Sequence, residues 1–152
     1  MTVRNIIIIN DFAYINGGAG YVAIESARAL SRQDKKVILF TAVSSAADVC
    51  ENNLEIVKTN QLEFINDPHR LKAVFRGIWN THARKSFAEL LNRFDTSDTI
   101  VHIHSWSKAL SASVLREAIK RGYNCVITLH DYFTLCPNGG FYLYQDNTKC
   151  HL

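Results

Sequence analysis

Residues 3–20 read VRNIIIINDFAYINGGAG, and the fold follows from how this stretch divides. Ile6 to Ile9 is an unbroken β-branched run. Apolar on both faces, it suits a strand buried in the middle of a parallel sheet, where both sides are covered. A glycine cluster, Gly17 to Gly20, follows and opens into a helical segment from Tyr21. Strand, glycine loop and helix start together are a ready setting for a phosphate. Glycines let the backbone come close, and the helix N-terminus offers unpaired N–H groups and a positive dipole end. The stretch therefore predicts the first unit of an α/β nucleotide-type domain.

The alternation continues along the chain. A helix over Tyr21 to Arg32 puts Ala23, Ala27 and Leu30 on one stripe, with Glu25, Arg28 and Arg32 opposite. Val37 to Phe40 and Leu54 to Lys58 read as the next strands. Asp67 to Phe94 reads as two helices: Asp67 as N-cap with Pro68 at the first helical position, then a break at Trp79-Asn80-Thr81. Leu71, Val74, Phe75 and Ile78 fit one helical face of the first, and Ala83, Phe87, Leu90, Leu91 and Phe94 resume the pattern in the second. Ile100 to His104 is a strand, Ser105 to Ser107 supplies the cap of a helix carrying Leu110, Val114, Leu115, Ala118 and Ile119, and Gly122 ends it. Cys125 to Leu129 is a further strand, with His130-Asp131 leaving its end. Strands alternating with helices imply a Rossmann-like, doubly wound parallel sheet with right-handed crossovers. Tyr132 to Leu152 shows no period.

Composition sets the frame. At 152 residues and 47% hydrophobic content, the chain is one domain with an ample core. The N-terminal apolar run is too short for a signal peptide and no stretch reaches membrane-spanning length, so a cytoplasmic protein is expected. Cys50, Cys125, Cys136 and Cys150 are accordingly expected as free thiols. The net charge of +3 is local: between His69 and Phe94 stand Arg70, Lys72, Arg76, Arg84, Lys85 and Arg93 against Glu89 alone. That segment reads either as a solvated face or as a contact with an anionic membrane surface. No nucleic-acid-binding module accompanies it.

In open α/β sheets ligands collect at the carboxyl ends of the strands. The residues placed there are Asn10, Asp11, Gly17 to Gly20, His104, His130 and Asp131. Gly18-x-Gly20-x-x-Ala23 formally matches the dinucleotide fingerprint, but seven residues separate the strand from the first glycine. The acid expected at the end of the second strand is also missing, since Phe40-Thr41-Ala42-Val43 stands there. A phosphate contact is the better reading, with a plain structural turn as its alternative. His102 and His104 point to one side of their strand, so a metal site is an alternative to one buried and one rim histidine. Cys136, Cys150 and His151 raise the same question.

Three segments carry a family resemblance: NGGAGYVAIESARAL, IWNTHARKSFAELLNRFDTSDTIVHIHSW and ITLHDYFTLCPNGG. Together they resemble the N-terminal domain of family 4 glycosyltransferases of GT-B fold. Ser97-Asp98-Thr99 stands where the family usually has proline-aspartate. The resemblance implies a retaining transferase, without a required metal or cofactor, that moves a hexose from a nucleotide-sugar donor to a glycan or lipid-linked acceptor, as in cell-surface polysaccharide biosynthesis. It assigns Gly17 and Gly18 to the donor diphosphate and His130 to the reacting centre. Asn10, Asp11, His104 and Asp131 fall to the sugar or acceptor. On this reading residues 1–152 are the acceptor-side domain, inactive alone, and a C-terminal nucleotide-sugar-binding domain with an E-x7-E motif is the missing partner. A stand-alone phosphate-binding module and an NAD-dependent oxidoreductase domain are the competing readings.

Overall fold

The computed structural model describes residues 2–44, 53–136 and 138–150. Five parallel strands, β1 (Asn5–Ile9), β2 (Lys36–Thr41), β3 (Leu54–Lys58), β4 (Thr99–Ile103) and β5 (Asn124–Ile127), lie in the order β3-β2-β1-β4-β5. The isoleucine run is the central strand, with Ile7, Ile8 and Ile9 fully buried. Its two faces serve two separate cores. Ile7 and Ile9, with Ile38, Phe40, Val101 and Ile103, meet Phe87 and Leu91 of α3 (Thr81–Leu91) and Val114 and Ala118 of α4 (Ser113–Lys120). Ile6 and Ile8, with Val37 and Leu39, meet Ala23, Ile24 and Ala27 of α1 (Gly18–Ser31). Helices on both faces of a parallel sheet confirm the doubly wound α/β reading.

The order of strands reverses beside β1, which has β2 on one side and β4 on the other. Chains leaving β1 and β4 therefore diverge to opposite faces, and a crevice opens at their carboxyl ends. That position, set by topology, is where the candidate residues gather.

Several boundaries differ from the sequence reading, each for a local reason. α1 begins at Gly18, so the glycine cluster is its first turn. The helix α2 (Arg70–Ile78) starts later than expected, because the Asp67 carboxylate accepts from the His69 N–H (2.9 Å) in a local turn and caps no helix. The Ser105–Ser107 stretch does not cap α4, which begins eight residues beyond Ser105 after Ala112. Residues 132–136 and 138–150 hold turns and a small hairpin, β6 (Tyr142–Leu143) with β7 (Thr148–Lys149). Cys125, Cys136 and Cys150 are free thiols; Cys50 and His151 lie outside the described residues. In α2, Leu71, Val74, Phe75 and Ile78 share one face as the pattern predicts; that face points to solvent, and Ala73 is the buried residue.

Asn80 is the joint between α3 and the segment entering α4. Its Oδ1 accepts from the Ala83 N–H (3.0 Å), capping α3, while its Nδ2 donates to the Ala109 carbonyl (2.8 Å). Its N–H donates to Ser111 Oγ (2.9 Å), and the Ser113 hydroxyl donates to its carbonyl (2.9 Å). Asn80→Ala removes a cap and leaves a buried carbonyl unpaired, a loss of about 2–4 kcal/mol in urea unfolding. Asn80→Asp keeps the acceptor and should fall between the two; equal stability of Asn80→Ala and wild type would contradict the assignment.

Candidate functional site

The site begins with the loop that follows β1. Residues 11–13 do not leave the sheet at once: the Asp11 carbonyl accepts from Ala42 and Val43, and Phe12 bridges Val43. This continued pairing is why the glycine loop sits so far from the strand end, unlike a dinucleotide fingerprint. The chain then turns at Gly17, whose φ of 145° belongs to glycine. A Cβ on Gly20 would lie 2.7 Å from Asn16 Oδ1, the end of an exposed side chain, and 3.4 Å from the Tyr14 carbonyl oxygen. Around Gly18 the space is open, with nothing within 4 Å of a built Cβ. No side chain caps α1, so its first-turn N–H groups have no intrahelical acceptor.

The second part comes from β4 and β5. His104 follows β4 directly, with its N–H bonded to the Ile9 carbonyl (2.9 Å). Its ring is buried, and its Nδ1 lies 3.1 Å from Nε2 of His130, with the two rings stacked at 5.3 Å. The His102 ring also lies against His104, at 4.1 Å, and turns its own Nε2 to the Thr128 hydroxyl (2.8 Å). The expected in-phase placement of His102 and His104 is thus real, and the third histidine joins them from the next strand.

Burial, followed by the charges of His102 and His130, pushes the His104 imidazole down to about 4. Burial and then His130 lower His102 as well. His104 is therefore neutral near pH 7. Its Nε2 is buried and has no hydrogen-bond partner among the described residues. A bare ring lone pair is the cheaper atom to strand there than an N–H, because orphaned buried donors are rarer than under-satisfied acceptors. The proton accordingly belongs on Nδ1, donated to His130 Nε2. A neutral His130 then carries its proton on Nδ1, as a donor.

His104 and His130 line a cavity of about 330 Å³ with Ala19, Trp106, Asp131 and Phe133. A second cavity of about 170 Å³ adjoins it, lined by Asn10, Gly17, Gly18, Ser107, Lys108 and Asp131. Ala19, Ser105, Ser107 and Asp131 border both. The structure thus brings Asn10, Gly17, Gly18, His104, His130 and Asp131 to one crevice. Asn10 is buried at its base, donating from Nδ2 to the Phe12 carbonyl (2.8 Å). Asp131 stands exposed at the rim, accepting from the Phe133 N–H (3.1 Å).

Asp11, expected among the sugar-binding groups, lies beneath the crevice and lines neither cavity. Its Oδ2 accepts from the Ser105 hydroxyl (2.9 Å) and the Lys108 N–H (3.0 Å). Its Oδ1 accepts from the N–H groups of Ala109 and Leu110, both at 2.9 Å. Burial pushes its carboxyl up, and these four donors oppose that. Trp106, Phe133, Thr134 and Ser107 are cavity residues that the sequence reading passed over. The signal was their adjacency to the two histidines in HSWS and HDYFT.

An uncapped helix start beside a histidine-lined crevice at the switch point is the place where open α/β domains collect their ligands. The family follows from the sequence. The chain belongs to glycosyltransferase family 4, whose sequence model matches residues 16–149. Among solved structures, a crystal structure of TcCGT1 in complex with UDP is similar over 88% of this chain and 30% of that one, at 14% identity and a TM-score of 0.46. No curated protein sequence matches with significance.

The His104 environment has a consequence for stability. Folded, it titrates near 4, against 6.5 when unperturbed. Between those values the unfolded chain binds a proton that the folded one refuses, so stability falls as pH drops from about 6.5 to about 4, then levels. His104→Gln removes that contribution, and its Tm should fall less steeply than that of wild type over the same window. Parallel Tm–pH curves would contradict the assignment.

Proposed function

We propose that this domain is the N-terminal, acceptor-side half of a retaining GT-B enzyme. It moves a hexose from a nucleotide-sugar to a glycan or lipid-linked acceptor, without metal or cofactor, in cell-surface polysaccharide biosynthesis. In this reading the enzyme works in the cytoplasm, with its basic stretch 69–94 against the anionic inner face of the cell membrane. The observation that carries the sugar-transfer reading is the histidine pair: His130, held by His104 at 3.1 Å, borders the same crevice as the uncapped start of α1.

The two halves of that crevice match the two charges of the reaction. Breaking the bond from the anomeric carbon to phosphate leaves positive charge on the sugar ring and negative charge on the departing diphosphate. The N–H groups at Gly17 and Gly18 and the dipole of α1 stabilise the anion. His130, with Nδ1–H as donor, holds a hydroxyl of the donor sugar, and its backbone carbonyl faces the ring. Asp131 at the rim takes an acceptor hydroxyl, and Asn10 supports the floor. Such preorganised groups act most strongly where water is excluded, and a second domain closing over the exposed rim supplies that exclusion.

His130→Ala, made in the enzyme that contains this domain, should lower kcat by roughly 10²–10³, the range for losing one preorganised contact. The residue borders a cavity and makes few core contacts, so the Tm should change little. A folded His130→Ala enzyme with the wild-type rate would remove His130 from the site. It would leave the open α1 terminus as a phosphate-binding feature without a catalytic role.

A further inference from the structure

The helix α2 is built inside out. Its inward side carries its smallest residues: Ala73 is buried, and a Cβ on Gly77 would lie 3.6 Å from the Phe64 ring. Its outward side carries its largest, with Leu71 79%, Val74 58%, Phe75 70% and Ile78 68% exposed. A surface helix of a soluble domain ordinarily presents the reverse. Leu62, Ile65 and Trp79 lie exposed on either side of the helix in sequence and are the apolar residues flanking it. An exposed apolar face of this size marks a surface with an occupant.

Charge identifies the occupant. Arg70 and Lys72 stand on the two margins of the apolar stripe, and no acid lies on α2. Of the nearby acids, Asp67 is buried against Arg76 (2.7 Å), which also covers the Phe64 ring, and Glu63 accepts from the Asn66 amide. The wider basic segment is less available than its composition suggests. Arg84 pairs with Glu117 (3.0 Å) and Arg93 with Glu55 (2.7 Å). Of the six Lys and Arg in 69–94, Arg70, Lys72 and Lys85 have no ion pair among the described residues, two of them on α2, with Arg70 donating to the Ile65 carbonyl (2.8 Å). An apolar stripe with a basic margin on each side fits the headgroup layer of an anionic bilayer, where the stripe sinks in and the cations reach the phosphates. A second copy of the same face would set like charges against each other.

We propose that α2 is a membrane-docking helix, inserting Leu71, Val74, Phe75 and Ile78 into an anionic leaflet with Arg70 and Lys72 at its phosphates. This deepens the membrane contact read from the basic stretch 69–94 and rests on it, but moves the contact from charge to an apolar face. The helix sits at the carboxyl edge of the sheet, since the Phe64 N–H before it donates to the Lys108 carbonyl (2.8 Å) in the loop that Asp11 holds. A docked domain therefore carries its crevice beside the bilayer, which selects the lipid-linked acceptor over a free glycan.

The test uses sedimentation with vesicles of equimolar phosphatidylcholine and phosphatidylglycerol, and with phosphatidylcholine alone. Wild type should bind the anionic vesicles far better, more weakly as salt rises. With Trp106→Phe leaving Trp79 as the sole tryptophan, its emission should shift to the blue on binding. Phe75→Ser with Ile78→Ser should weaken binding by roughly a hundredfold, the effect of two buried apolar side chains, with the fold intact because both are exposed. Lys72→Glu should weaken it by roughly tenfold or more, and Lys85→Glu by much less. If the serine variant binds like wild type while both lysine variants lose binding, charge alone docks the domain: the insertion fails and the membrane reading survives. If wild type binds neither vesicle, both fall. If wild type sediments as a dimer that the serine substitutions dissociate, a second copy covers the face and the proposal is overturned.

Discussion

One buried carboxylate holds the site together. Asp11 leaves the end of the central strand and is fully buried, and no cation is among the partners of its carboxylate. Placing an ionised carboxylate there costs several kcal/mol unless donors replace its water. Three successive backbone N–H groups, Lys108 to Leu110, and the Ser105 hydroxyl do so. The requirement works in reverse as well: the loop between β4 and α4 must wrap around that carboxylate to satisfy it. The wrapped loop carries Trp106 and Ser107 to the crevice wall and receives Asn80 through the Ala109 carbonyl. The start of α3, the entry to α4 and the floor of the crevice are thus fixed by one group.

The histidine stack is a second instance of burial deciding chemistry. His104 is buried against two other imidazoles, so it stays neutral and serves as a donor to His130. A third imidazole, His102, is tied off by Thr128 and adds only packing and like charge. The arrangement gives the crevice one oriented ring at its mouth, opposite a helix terminus that carries the opposite polarity to a phosphate.

The sheet was legible because its signals are periodic and local. Ile6–Ile9, the stripe Ala83-Phe87-Leu90-Leu91 and the break at Trp79-Asn80-Thr81 read directly, since each depends on neighbours a few residues away. The crevice was legible through topology, because strand ends converge whatever their side chains do. What failed depended on long-range partners. Asp11 looked like a ligand because its four donors lie more than ninety residues on. Ser105–Ser107 looked like a helix cap because the call of that carboxylate is invisible in sequence. The face of α2 was legible but its direction was not, because amphipathicity gives a face without saying which way it turns. The excess of cations in 69–94 was likewise discounted by Asp67, Glu117 and Glu55, all outside that window.

The central claim is that one crevice takes the two ends of a nucleotide-sugar. A crystal structure of the enzyme containing this domain, with a non-hydrolysable nucleotide-sugar bound, tests it most directly. The account predicts the diphosphate against the N–H groups at Gly17 and Gly18, with the sugar ring within hydrogen-bond reach of His130 Nδ1. A donor bound with its diphosphate away from the start of α1, or with its sugar beyond reach of His130, would contradict it.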